Sequence, residues 1–138
     1  SRTTPATKNI NIGDQVHVRL EHKQCKGEVL RIEPDMRAAY LSYEAYPSLY
    51  DEFQPYELLR APTSCGDGAE IPNGDVKPGM VVLNRWGETK DEYRAVVKYT
   101  VSETMYRIRL DLARCTVDRW MQSSSILTEK EQEKKDEE

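Results

Sequence analysis

Six of the chain's eleven aromatic residues fall in YLSYEAYPSLYDEFQPY, residues 40–56, interleaved with Glu44, Asp51 and Glu52. Tyrosine ring faces are electron-rich, so several converging rings suit an alkylated or quaternary ammonium, whose methyl groups leave water cheaply. A carboxylate beside such rings adds a charge-assisted hydrogen bond when the ammonium keeps a proton, a role open to Glu44 and Asp51. Tyr43, Tyr46 and Tyr50 are the candidate rings. The plain alternative is packing, because a tyrosine in a small domain is commonly a core or rim residue with its hydroxyl in water.

Other chemistries lack their residues. The two histidines, His17 and His22, stand five apart with no cysteine or carboxylate cluster at ligand spacing, so no metal pair is formed. No Ser/His/Asp order, glycine-rich phosphate loop or paired acid and base stands out. The sequence therefore reads as non-catalytic, without metal or cofactor. Cys25, Cys65 and Cys115 are odd in number and lie in no CxxC spacing, which speaks against a disulfide framework and for a reducing, intracellular setting. No apolar run reaches membrane-spanning length. The formal net charge is −4, carried mostly by the final TEKEQEKKDEE, so the body exerts no long-range pull on nucleic acid.

The elements that must position the tyrosines read as short strands. QVHVRL alternates, KGEVLRI follows, Pro34-Asp35 supplies a turn, MRAAYLSY is a third strand and DEFQ a fourth. Tyr43, Tyr46, Tyr50 and Phe53 are at helical spacing, but Pro47 and Pro55 argue for strand, turn and strand instead. Leu41 and Phe53 then alternate inward. The order repeats in MVVLNRW, YRAVVKYTV, MYRIRLDL and CTVDRWMQ, with SSSILTEKEQ as a Ser-capped short helix. The halves align at an offset of 66 or 67: Gly13 with Gly79, Glu28 with Ala95, Tyr40 with Tyr106, Asp51 with Asp118. The expected organisation is a leader 1–10, a first unit 11–60, a linker 61–77, a second unit 78–128 and a charged tail 129–138. A single sheet of about eight strands is the alternative.

LSYEAYPSLYDEFQP resembles the strand–loop–strand signature of Tudor-like Royal-family domains, through Leu41, Tyr43, Tyr46, Tyr50, Asp51, Glu52 and Phe53. The resemblance implies an all-β chain of two small SH3-like, Tudor-type barrels in tandem, with short helical turns after the last strands. It also implies a nuclear, chromatin-associated reader that binds a methylated lysine of a histone tail in an aromatic cage. In the family the cage is completed around the first loop, where this sequence offers only His22. The second half is the reverse: Trp86 and Tyr93 lie around its first loop, with Trp120 further on, but Arg109, Leu112 and Val117 stand opposite the three tyrosines. A composite site follows as an expectation, with Tyr43, Tyr46 and Tyr50 facing Trp86 or Tyr93. Competing readings are a DNA- or RNA-binding module using the basic residues of the second half, and a scaffold that docks other chromatin proteins.

Overall fold

In the computed structural model, which describes residues 8–21, 23–64, 68–85 and 91–137, alternation sets the strands as expected. Val16 and Val18 are buried between outward-facing Gln15, His17 and Arg19, the period of two that a half-buried strand shows. The strands are β1 (Gln15–Leu20), β2 (Lys23–Tyr43), β3 (Glu52–Pro55), β4 (Leu59–Arg60), β5 (Val81–Arg85), β6 (Glu92–Leu112), β7 (Cys115–Gln122) and β8 (Ile126–Thr128). Helix α1 (Glu129–Glu137) follows. One sheet runs β4-β5-β6-β2-β1-β8, with β3 added on β2 and β7 on β6. The chain is thus mainly β, as its strand patterning predicts.

The expected turn at Pro34-Asp35 does not reverse the chain. β2 runs through it for 21 residues, with Asp35 at φ 52°. A short polar side chain tolerates this left-handed conformation, and a single such residue bends a strand without ending it. β6 likewise joins the strands expected over 93–101 and 105–112 into one of 21 residues. The two long strands change how the chain divides. One compact unit is Ser1–Pro34 with Thr104–Glu138, and the other is Asp35–Glu103. A tandem of two barrels in sequence order, 11–60 and then 78–128, is not seen.

Each unit has a core drawn from both sequence halves. In the first, Ile10, Val16, Val18 and Val29 pack with Tyr106, Ile108, Leu110 and Ile126. In the second, Ala39, Leu41, Tyr43 and Leu59 pack with Ile71, Val76, Val82, Ala95 and Val97. Ile71 and Val76 come from the segment read as a linker, so that stretch contributes core. It also holds the Ala61–Ala69 bridge and a 3₁₀ turn at Pro72–Gly74.

The internal repeat is visible in the hydrogen bonds. Gly13 N–H donates to Val29 O at 2.8 Å, and Gly79 N–H to Val97 O at 2.7 Å; the two glycines have φ 92° and 89°. Each half then gives a strand, a long strand, a strand, a 3₁₀ turn (Tyr56–Leu58 or Ser123–Ser125) and a short strand. The register corrects two aligned pairs. Gln15 lies opposite Glu28 and Val81 opposite Val96, so Glu28 corresponds to Val96 rather than Ala95. Phe53 lies opposite Tyr40 and Trp120 opposite Arg107, so Tyr40 corresponds to Arg107, and Tyr106 to Ala39. Burial agrees, since Tyr106 and Ala39 are both buried and a one-residue slip would turn them outward. The C-terminal helix starts later than expected. Thr128 Oγ1 accepts from Glu131 N–H at 3.2 Å and Glu131 Oε1 accepts from the Thr128 hydroxyl at 3.1 Å, a cap built on threonine rather than serine. Residues 129–137, expected as a charged tail, are thereby helical.

Candidate functional site

The β2–β3 register sets Glu52 opposite Leu41 and Gln54 opposite Ala39, and both facing residues belong to the core of the unit Asp35–Glu103. Cross-strand partners share a face, so both polar side chains enter the apolar side and are buried. Asn84 of β5 does the same two residues after buried Val82. Buried polar groups need partners, and these find one another. The Tyr43 hydroxyl donates to Glu52 Oε2 at 2.6 Å and accepts from Asn84 Nδ2 at 2.9 Å. Gln54 Nε2 donates to the same Glu52 oxygen at 3.0 Å.

Three further rings gather above this network. After β2 the chain turns so that Tyr46 N–H donates to Tyr43 O at 3.3 Å, and Pro47 opens a 3₁₀ turn over Ser48–Tyr50. The Tyr46 ring lies 5.6 Å from Tyr50 at 61° and 5.8 Å from Tyr93 at 63°. Tyr93 stands 6.5 Å from Tyr43 at 83°. Tyr46 and Tyr50 are each 39 % exposed, whereas Tyr43 is 2 % exposed and forms the floor. Tyr93 reaches the cluster from β6, where it lies opposite Asn84. Desolvation holds its phenol above the ordinary value, reinforced by Tyr46 and Asp91.

The structure therefore brings Tyr43, Tyr46, Tyr50 and Tyr93 together inside one compact unit, although Tyr93 belongs to the second sequence half. The carboxylates singled out in the sequence are placed differently. Glu44 lies 3.9 Å from Arg94, both half-exposed, and Asp51 is buried with Lys98 Nζ 3.5 Å away. Both are engaged by cations of β6. Glu52, Gln54 and Asn84 were not anticipated as site residues. Asn84 had a signal, an amide at the inward-facing position of the apolar run VVLNR.

Trp120 does not join the tyrosines. It lies in the unit Ser1–Pro34 with Thr104–Glu138, 7 % exposed, with the guanidiniums of Arg31 and Arg107 at 5.6 and 5.5 Å from its ring centre. The repeat explains it. The corresponding ring in the other unit, Phe53, is covered by Tyr40 at 4.8 Å and Tyr99 at 5.7 Å. One unit lids this position with tyrosines and the other with arginines, so cations of the chain itself already occupy the indole face. His22 and Trp86 lie outside the described residues. Among the described residues, no group of three His, Cys, Asp or Glu could hold a metal, and no helix is long and apolar enough to cross a membrane.

No family model matches the sequence, and no curated protein matches it. Solved structures do share the fold. The solution structure of the ydhK C-terminal domain from Bacillus subtilis superposes with a TM-score of 0.59 at 17 % identity, covering 88 % of this chain and 96 % of that one. A crystal structure of ydhK from the same organism gives 0.57 at 17 % identity over 86 % and 99 %. A second, described as a DUF1541 family protein, gives 0.59 at 15 % identity over 91 % and 88 %. These likenesses are of fold. They overturn the expectation of a nuclear chromatin protein reading methylated histone tails, because the fold is carried by proteins of a bacterium, which has no nucleus. Histone tails and chromatin proteins fall with it as partners.

Proposed function

We propose that the tyrosine cluster of the unit Asp35–Glu103 binds a small alkylated or quaternary ammonium ion, and that the chain is a non-catalytic binding module. The observation that carries this reading is Tyr46, 39 % exposed and steeply inclined to both Tyr50 and Tyr93 at 5.6 and 5.8 Å. Two rings inclined this way form a corner. A point about 4 Å above both faces lies within the roughly 6 Å over which a ring attracts a cation. Tyr46 and Tyr50 would supply the accessible faces, Tyr93 the inner wall, and Tyr43 the floor. The finer architecture that accompanies this reading is a Tudor-type barrel in each unit, built from strands of both sequence halves.

Titration with choline and tetramethylammonium, followed by tyrosine NMR shifts and calorimetry, tests the reading. Saturable binding is expected, with Tyr46→Ala weakening it about tenfold, between the values of an exposed and a desolvated cation–π contact. Resonances of Tyr46, Tyr50 and Tyr93 that stay unmoved at millimolar choline would overturn it.

A further inference from the structure

The polar set beneath the tyrosines holds more acceptors than donors. Glu52 brings two carboxylate oxygens, and Asn84 Oδ1 is fully buried without a hydrogen-bond partner among the described residues. The donors that meet them are the Tyr43 hydroxyl and the Gln54 amide, while the Asn84 amide donates to Tyr43 instead. Glu44 and Asp51 each have a cation beside them, but among the described residues no cationic side chain forms an ion pair with Glu52. A buried carboxylate without a counter-charge costs stability. Such a cost, retained at the floor of a ring cluster, marks a group whose counter-charge arrives with a ligand.

We propose that Glu52 is the charge selector of this site, making the cluster prefer a cation over a neutral molecule of the same shape. The proposal rests on the reading of the cluster as an organic-cation site and adds the residue that sets its selectivity. Glu52 acts through Tyr43. A phenol that donates to a carboxylate has a more electron-rich oxygen and ring, and the charge itself is felt strongly where water is excluded. The rings alone bind by contact area and ring quadrupole, whereas the carboxylate responds only to charge. At a separation of roughly 8 Å and an effective dielectric constant of about 20, its attraction is worth at least about tenfold in affinity.

Choline and 3,3-dimethylbutanol, in which carbon replaces the quaternary nitrogen, form the test pair. Wild type is expected to favour choline at least tenfold. The Glu52→Gln variant keeps an oxygen for the Tyr43 hydroxyl, so a purely structural role for Glu52 would leave the choline preference intact. The expected result is unchanged affinity for 3,3-dimethylbutanol and a choline preference reduced about tenfold, down to what the ring quadrupoles supply by themselves. A preference undiminished in the variant overturns the selector while leaving the organic-cation reading standing. Binding of neither ligand to wild type removes both. A second measurement needs no variant: the wild-type preference at about 0.05 and 0.5 M salt. A buried charge is screened far less than an exposed one, so the preference should persist. Its collapse at high salt would assign selectivity to half-exposed Glu44 and overturn the proposal.

Discussion

Tyr43 shows how one side chain can belong to core and site at once. Its ring packs with Leu41, Val82 and Ala95, while its hydroxyl joins Glu52 to Asn84. Tyr43→Phe keeps the ring, strands the buried Asn84 amide and leaves Glu52 with Gln54 as its one remaining donor in the network, so a loss of about 1–3 kcal/mol is expected. A thermal melt reads this as a drop of several degrees, and an unchanged midpoint would mean that water replaces the hydroxyl. Tyr46 is the opposite case. Being 39 % exposed, it should be replaceable by alanine with little change in melting while ligand binding weakens. The contrast was only partly legible in the sequence. The strand, turn and strand read around Pro47 put Tyr46 in the loop and Tyr50 at or before the next strand, but nothing in the spacing separates a tyrosine whose hydroxyl is buried from one whose hydroxyl meets water. That difference is made by Asn84, far along the chain and brought in by the pairing of β5 with β6.

At the scale of elements, most strand positions followed from alternation, and β1, β3, β5 and β7 lie where the pattern put them. The failure was at Pro34-Asp35, where turn chemistry was read as a reversal. Local composition can mark a bend, but only long-range pairing decides whether the strand continues beyond it. Gly27 illustrates the same dependence. A Cβ at this position would stand 2.5 Å from Ile108 Cγ2 and 3.3 Å from the Arg109 carbonyl oxygen. The contact is between residues far apart in sequence, so glycine here serves close packing and no turn. Gly27→Ala is expected to destabilise by about 1–3 kcal/mol, as overpacking of a filled core does. Denaturant melts would show it as a lower midpoint, and wild-type stability would mean that Ile108 moves aside freely.

At the scale of the whole molecule, the repeat and the compact units do not coincide, since each core takes residues from both halves. Expressed alone, residues 8–60 would hold Val16, Val18 and Val29 without Ile108, Leu110 and Ile126, and Leu41 without Val82, Ala95 and Val97. Neither core can close. Such a fragment, and likewise residues 78–137, should give the narrow NMR dispersion of an unfolded chain, and mixing the two should restore native shifts. A dispersed spectrum from either half alone would contradict the shared cores. The pairing of Val16, His17 and Val18 with Thr128, Leu127 and Ile126 carries this dependence to its limit. On the ribosome, β1 emerges roughly a hundred residues before the strand that covers it, an interval of about 5–20 s at ordinary elongation rates. Throughout that time a half-apolar strand waits with β2 on one edge and without its second neighbour. Nascent-chain handling, rather than equilibrium stability, is therefore where this architecture is most exposed to failure.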